Sequence, residues 1–204
     1  MKYAQYLLTL EELEKHINEL NEEHKRGVYL DLADASSFNN SETAINKETK
    51  LIIVGSITPP KGENYYYTSK ENNLYKFIDK YLNKDIFEKN KTNKEELIKE
   101  LKAHHIGFID VFSKVIRVKD SASDNDILLG TLDYSSFKER LELPSDVLIV
   151  PNTKLAADLL NIIINKEDIK INGEIKYQSL FKRIKEENLY NEWRDNVFNG
   201  RIIK

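Results

Sequence analysis

A loop combining glycine, tyrosine and asparagine residues follows a short apolar run, Leu51–Val54. The loop opens with Gly55-Ser56, and a glycine at a strand end lets a ligand approach the backbone closely. It continues with three consecutive tyrosines, whose rings would either pack in the core or stack on a planar ligand. It lacks the Gly-x-x-x-x-Gly-Lys-Ser/Thr spacing of a phosphate-binding loop. The functional interpretation of this loop is therefore a stacking platform for a planar ligand.

Amide and carboxylate side chains follow at three later points of the chain: Asn72, Asp110 and Asn152. An amide both donates and accepts hydrogen bonds, so either asparagine is suited to reading a ring edge or holding a water molecule. Asn72 also stands where a helix is predicted to begin, and asparagine is a preferred helix cap. Asp110 would either orient a water molecule or cap its own loop.

The sequence favours neither a metal site nor a bound cofactor. There is no cysteine, which excludes disulfides, thiolate metal ligands and a cysteine nucleophile. The adjacent His104 and His105 would point to different faces, which favours a structural role over metal ligation.

The elements that must position these residues are strands and helices in alternation. Apolar runs predict parallel strands at Leu51–Val54, within Ile106–Phe112 and at Val147–Val150. Helical spacing of apolar residues predicts helices over residues 72–82, 94–103, 135–141 and 154–164. The alternation predicts an open parallel sheet covered by helices, with ligands bound beyond the carboxyl ends of its strands. Three loops would converge there: residues 55–73, 110–126 and 151–154.

The remaining segments give weaker signals. Polar composition predicts loops or exposed connections over residues 31–49, 83–95 and 117–126. Thr9 and Glu12 form a capping-box pattern at the start of a helix that Gly27 would end. Residues 176–199 read as a charged helical segment in which Trp193 is a packing anchor.

Length and charge limit the class of protein. The 204 residues fit one domain with a helical extension over residues 1–30. No apolar run approaches the roughly 20 residues needed to span a membrane, and the polar start does not resemble a signal peptide. These features predict a cytoplasmic monomer without a membrane partner. Because the net charge is −3, contact with nucleic acid would need a local basic patch.

Three motifs resemble the uracil-DNA glycosylase superfamily, with the closest similarity to its hypoxanthine-DNA glycosylase-like branch, which is related to the mismatch-specific uracil glycosylases. Members of that branch carry Gly-Ser-x-Pro-Gly and then Tyr-Tyr-x-x-x-x-Asn-x-Phe-Trp after the first strand. The matching residues here are Gly55-Ser56, Pro59 or Pro60, Tyr66-Tyr67, Asn72 and Leu74-Tyr75. The second motif is matched by Gly107 to Val111, Arg117 and the segment from Ser121 to Ile127, and the third by Pro151 to Ala156.

The resemblance implies a three-layer α/β/α fold with a central, mostly parallel sheet of four to five strands. It implies metal-free, monofunctional hydrolysis of the N-glycosidic bond of uracil or hypoxanthine in single- or double-stranded DNA, as in base-excision repair. The catalytic residues would be Asn72, Ser56 and Asp110. The base would contact Gly55, Tyr65, Tyr66, Tyr67 and Asn152. DNA phosphates would contact Lys61, Lys70, Arg117 and Lys119.

Two departures from the family pattern keep other functions open. Ser56 and Thr58 occupy the loop in which many members carry an aspartate or asparagine that positions the attacking water. The family's late loop, which wedges into DNA, has no clear match. A non-catalytic module that binds a base, nucleotide or partner is therefore one alternative, and a hydrolase of free nucleosides or modified nucleotides is another.

Overall fold

The computed structural model describes residues 3–9, 11–13, 15–16, 19, 31–34, 43–56, 65–70, 72–117, 124–132 and 134–202. Its side chains are described over these ranges except at residues 4, 31–34, 113, 114, 116, 117, 126, 135 and 136.

A four-stranded parallel sheet forms the centre of the protein. Its strands are β2 (Leu51–Gly55), β3 (Ile106–Asp110), β6 (Val147–Pro151) and β7 (Gly173–Ile175), in the order β3-β2-β6-β7. The three strands predicted from apolar runs are confirmed as parallel neighbours: Ile53 pairs with Phe108 on one side and with Val150 on the other. β7 was not predicted, because all three of its residues are exposed and carry no apolar pattern.

A second, antiparallel sheet lies beside the first and corrects the loop predictions. Its strands are β1 (Asp31–Asp34), β4 (Phe112–Arg117) and β5 (Ile127–Leu132), in the order β1-β4-β5. The prediction of a loop over residues 31–49 is wrong for β1, whose four residues pair with β4. The strand predicted within residues 106–112 ends at Asp110, and a new strand starts at Phe112.

The helices largely follow the predicted spans. They are α1 (Leu74–Leu82), α2 (Lys94–Ala103), α3 (Tyr134–Leu141), α4 (Lys154–Glu167) and α5 (Glu186–Trp193). The capping box is also confirmed, since the Thr9 hydroxyl accepts from the Glu12 N–H and the Glu12 carboxylate accepts from the Thr9 N–H. The predicted helix end at Gly27 lies outside the described residues. No helix in the described ranges has the length and apolar character that crossing a bilayer requires.

The parallel sheet buries both faces, which confirms the three-layer α/β/α arrangement. Leu51 and Ile53 pack into a core cluster with α1, α2 and α5. Ile52 and Val54 point the other way, into a cluster with α3, α4 and apolar residues of the second sheet. All four side chains are fully buried, as expected for a strand covered on both sides.

The C-terminal segment is helical only in its second part. Residues 176–185 have no regular structure, so the prediction of a helical segment over 176–199 is wrong at its start. The prediction for Trp193 is confirmed: its side chain is fully buried and its Nε1 donates to the Ser179 carbonyl at 3.1 Å. This bond holds the irregular segment against α5.

Candidate active site

A cleft of about 820 Å³ opens at the carboxyl ends of β2, β3 and β6. All three segments that were expected to converge contribute to its lining: Gly55, Ser56, Tyr66, Tyr67, Ser69, Asn72, Asp110, Asp124, Asn125, Asn152, Thr153 and Lys154. The prediction of a loop over residues 110–126 is wrong for residues 112–117, which form β4. Leu155 of α4 also lines the cleft. Parallel strands place their carboxyl ends at one edge of the sheet, and this is why residues far apart in sequence meet here.

Gly55 lines the cleft, and two polar side chains occupy the space that a side chain at this position would need. It pairs with Asp110 across β2 and β3. A Cβ at Gly55 would lie 2.2 Å from Asp110 Oδ1 and 3.0 Å from the Tyr67 hydroxyl oxygen. Any side chain here would displace the carboxylate, so this close approach requires glycine.

Asn152 follows β6 and is held rigidly at the cleft. Its N–H donates to the Val54 carbonyl at 3.0 Å, and its side-chain Nδ2 donates to the Tyr67 hydroxyl at 2.9 Å. Asn152 is 1% exposed, and its Oδ1 has no hydrogen-bond partner among the described residues. A buried amide oxygen without a partner costs stability, and a ligand N–H that entered the cleft could satisfy it.

The three consecutive tyrosines have different surroundings. Tyr65 is fully buried in the core and does not line the cleft. Tyr66 and Tyr67 line the cleft, and both rings pack against Phe108 of β3. Tyr67 has a φ of 58°, a left-handed conformation that costs a non-glycine residue about 1–3 kcal/mol. In this conformation the Tyr67 hydroxyl meets Asn152.

Asn72 lies just before α1 and serves in part as a local turn residue. Its Oδ1 accepts from the Leu74 N–H at 2.9 Å, and the residue is 9% exposed. Its Nδ2 has no partner within the described ranges, and Asn72 lines the cleft. The side chain can therefore fix the helix start and still present a donor to a ligand or water.

Lys91 supports the backbone of Asn72 from behind. Its Nζ donates to the Asn72 carbonyl at 3.0 Å and pairs with Glu88 at 2.8 Å, and its side chain is 12% exposed. The turn that carries Lys91 is itself fixed by Asp79 of α1, whose carboxylate accepts three backbone N–H groups from residues 86–88. The prediction that residues 83–95 are an exposed connection is therefore wrong for Lys91.

A second carboxylate at the cleft was not singled out from the sequence. The Ser56 hydroxyl donates to the Asp124 carboxylate, which belongs to a short helical turn, Asp124–Asp126. The only sequence signal was the position of Asp124 in the segment that matches the second family motif. Ser56 thus stands beside a group that can orient its hydroxyl.

The cations predicted to contact phosphate are only partly described. Lys70 is exposed and does not line the cleft. Arg117 ends β4, and its side chain lies outside the described part of the structure, as do Lys61 and Lys119 entirely. Lys154, which was not predicted, lines the cleft and pairs with Asp158.

His104 and His105 lie away from the cleft. His104 is buried against Phe87, and His105 Nδ1 bonds the Glu48 carbonyl oxygen at 2.6 Å. The described residues contain no group of three or more histidine, aspartate or glutamate side chains arranged to hold a metal ion.

The rest of the cleft wall comes from both ends of the chain, which sequence reasoning missed. These residues are Tyr3, Gln5, Tyr6, Tyr177, Ser179 and Phe181. No local pattern marks them, because their place at the cleft depends on how the terminal segments pack.

Comparison with solved structures supports the fold. The chain is similar to a protein from Methanosarcina acetivorans whose solution NMR structure is described as that of a "putative Uracil DNA glycosylase". The TM-score is 0.51 with 19% sequence identity, over 75% of this chain and 91% of that one. The chain has a uracil-DNA glycosylase-like α/β fold. No protein-family model matches the sequence, and no curated protein matches it.

Proposed function

We propose that this protein is a DNA glycosylase that hydrolyses the N-glycosidic bond of uracil or hypoxanthine. The observation that carries the proposal is the buried Asn152 amide, whose oxygen lacks a partner among the described residues, in the same cleft as Tyr66, Tyr67 and Asn72. The uracil-DNA glycosylase-like fold also supports the proposal.

Asn152 is suited to the edge that uracil and hypoxanthine share. Each base presents a ring N–H beside a carbonyl oxygen on one edge. An amide can accept from the N–H through Oδ1 and donate to the carbonyl through the second hydrogen of Nδ2. In this role the Tyr67 hydroxyl holds the amide in place, and Tyr66 and Tyr67 stack on the base.

The reaction breaks the bond between C1′ of the sugar and the ring nitrogen of the base. Positive charge builds on the sugar while the base leaves with the electron pair as an anion, and water adds its oxygen to C1′. Asn72 and the Ser56 hydroxyl orient that water, and the Asp110 carboxylate stabilises the sugar cation. Because an amide accepts a proton poorly, the water proton passes to a carboxylate, Asp110 or Asp124, and the base anion is protonated after it leaves.

A panel of oligonucleotides tests the proposal. Each carries one uracil, hypoxanthine or xanthine, and alkaline treatment cuts the strand wherever a base has been released. We expect strand cutting with uracil or hypoxanthine and none with an unmodified strand. Release from free deoxyuridine or deoxyinosine but not from the oligonucleotides would instead indicate a nucleoside hydrolase.

Two observations favour a non-catalytic binding module as the second candidate. The Asn72 Oδ1 is already engaged by the Leu74 N–H, and Ser56 and Thr58 occupy the loop where many family members place an aspartate or asparagine. A module of this kind would bind free uracil or hypoxanthine and release no base from any oligonucleotide.

Replacing Lys91 with methionine tests whether Asn72 must be positioned. Methionine keeps the apolar stem but removes the bonds to the Ser69 and Asn72 carbonyls and the ion pair with Glu88. We expect kcat to fall about 10-fold while KM stays unchanged, because the reacting groups would be held less accurately. Steady-state kinetics on the preferred oligonucleotide measure both values.

The matched control for Lys91 is Lys89→Met, since Lys89 is exposed on the same turn. Its kinetics should equal those of the parent. An equal fall in kcat for both variants, or a parental kcat for Lys91→Met, would show that Lys91 does not position Asn72.

A further inference from the structure

The surface beside the cleft carries most of the exposed apolar side chains in the described part of the chain. Six large apolar side chains are exposed among the described residues, and four of them belong to one segment: Ile175, Tyr177, Phe181 and Ile184. Phe181 is the most exposed of the six, at 62%. Tyr177 and Phe181 also line the cleft, so the exposed apolar surface is continuous with the site.

The backbone that carries the exposed rings of Tyr177 and Phe181 is held in place by hydrogen bonds and buried neighbours. Gln178 and Leu180 alternate with the exposed aromatics and are buried. The Gln178 N–H donates to the Pro151 carbonyl at 3.2 Å, and its Nε2 donates to Glu192 at 2.9 Å. The segment is thus anchored on one side and presents Tyr177 and Phe181 on the other.

The same segment concentrates positive charge in a chain whose net charge is −3. Residues 175–185 include four cations and no acidic residue: Lys176, Lys182, Arg183 and Lys185. Lys182 pairs with Glu192, and hydrogen bonds from Lys182 and Gln178 lower the pKa of that carboxyl. Lys176 bonds the neutral Asn196. Arg183 and Lys185 are exposed and form no ion pair with other described residues.

We infer that residues 176–185 form a binding surface for single-stranded DNA. Exposed aromatic rings can stack on the faces of unpaired bases, and nearby cations can contact the phosphates between them. In a duplex those base faces are stacked inside the helix, so this surface favours a single strand. The inference rests on the proposed function in one respect, that the strand bound here is the one whose base enters the cleft.

Binding to an oligonucleotide without an excisable base tests the inference independently of catalysis. The probe is a fluorescein-labelled thymine strand of about 12 nucleotides, alone or annealed to its complement, followed by fluorescence anisotropy. We expect Tyr177→Ala and Phe181→Ala each to raise Kd for the single strand about 10-fold. Binding of the duplex should be weaker and unaffected by either change.

The cations are tested by the salt dependence of binding. Arg183→Gln/Lys185→Gln should reduce the slope of log Kd against log salt concentration by about 1.4, or about 0.7 for each phosphate that is no longer neutralised. The matched control is Lys102→Gln/Lys170→Gln. Both control residues are exposed and precede the amino ends of β3 and β7, at the sheet edge opposite the cleft. The control should retain the parental slope.

Several outcomes would overturn the inference. These are an unchanged Kd in both aromatic variants, an equal weakening of duplex binding, or a reduction of slope in the control as large as in the test variant. Binding to phosphatidylserine vesicles that depends on Phe181, without dependence of single-strand binding on it, would assign the surface to membranes. If Phe181-dependent binding is found but no base is ever released, the inference stands and the proposed function fails.

Discussion

Asn72→Ala is expected to lower the single-turnover rate of base release by about 10²–10³-fold. Asn72 lines the cleft, and under the proposed function its amide orients the attacking water. Its Oδ1 also accepts from the Leu74 N–H in the turn that precedes the cap residue Asn73, so the change should cost about 0.5–1.5 kcal/mol of unfolding free energy, as loss of one hydrogen bond does. A rate loss of this size corresponds to about 2.7–4 kcal/mol of barrier, which exceeds the structural cost. The measurements are the thermal midpoint and single-turnover release on the preferred oligonucleotide.

Asn93→Ala is the matched control for Asn72. The Asn93 side chain caps α2 by accepting from the Glu96 N–H at 3.2 Å, and it does not line the cleft. It should lose comparable stability and keep the parental rate. Asn72→Asp should keep stability, because a carboxylate oxygen also accepts from the Leu74 N–H, but should change the rate or the base preference. If both Asn72 variants release base at the parental rate, or lose activity only in proportion to stability, Asn72 is a structural turn residue alone.

Asn152→Ala is expected to lower kcat/KM about 10²-fold for the preferred base with little change in stability. Its Oδ1 has no described partner in the free protein, so the change removes one side-chain hydrogen bond, to the Tyr67 hydroxyl. Loss of that bond costs about 0.5–1.5 kcal/mol, and removing an unsatisfied buried oxygen offsets part of it. The base would lose the group that accepts its ring N–H, and sites built on such bonds discriminate strongly.

Two companion variants isolate the role of the Asn152 amide. Tyr67→Phe keeps the stacking ring but frees the Asn152 amide to turn. The free energy by which the protein discriminates between bases should therefore fall by more than the free energy of unfolding. Asn161→Ala removes an exposed asparagine of α4 and should change neither quantity. Parental kcat/KM in Asn152→Ala would exclude Asn152 from base recognition.

The central strands could be predicted from the sequence because each is a continuous apolar run buried on both faces. The strands that were missed lack this property. β5 contains Gly130, where a Cβ would lie 2.5 Å from the Phe112 ring of β4, so packing against β4 requires glycine at this position. Glycine weakens the sequence pattern of a strand, which is why β5 was missed. β7 is three exposed residues, and its pairing with β6 depends on the tertiary fold.

The candidate site was predictable where a residue follows a predicted strand, as Gly55, Asp110 and Asn152 do. The three tyrosines could not be separated by sequence, because their roles depend on backbone conformation: Tyr65 is in the core, and Tyr67 reaches Asn152 through a left-handed turn. Lys91 and Phe181 were missed since each acts across a long sequence separation. Lys91 reaches back 19 residues to the Asn72 carbonyl, and no local pattern encodes that bond.

The most direct test of the proposed function is identification of the product itself. The purified protein is incubated with a strand containing one uracil or one hypoxanthine, and the products are separated and weighed by mass spectrometry. The proposal predicts free base together with an intact strand that has lost one base and gained a hydroxyl at C1′. The Asn72→Ala/Asn152→Ala variant, prepared identically, should release almost none. No free base from any strand, or equal release by the variant, would contradict the proposal, the latter indicating an enzyme carried over from the expression host.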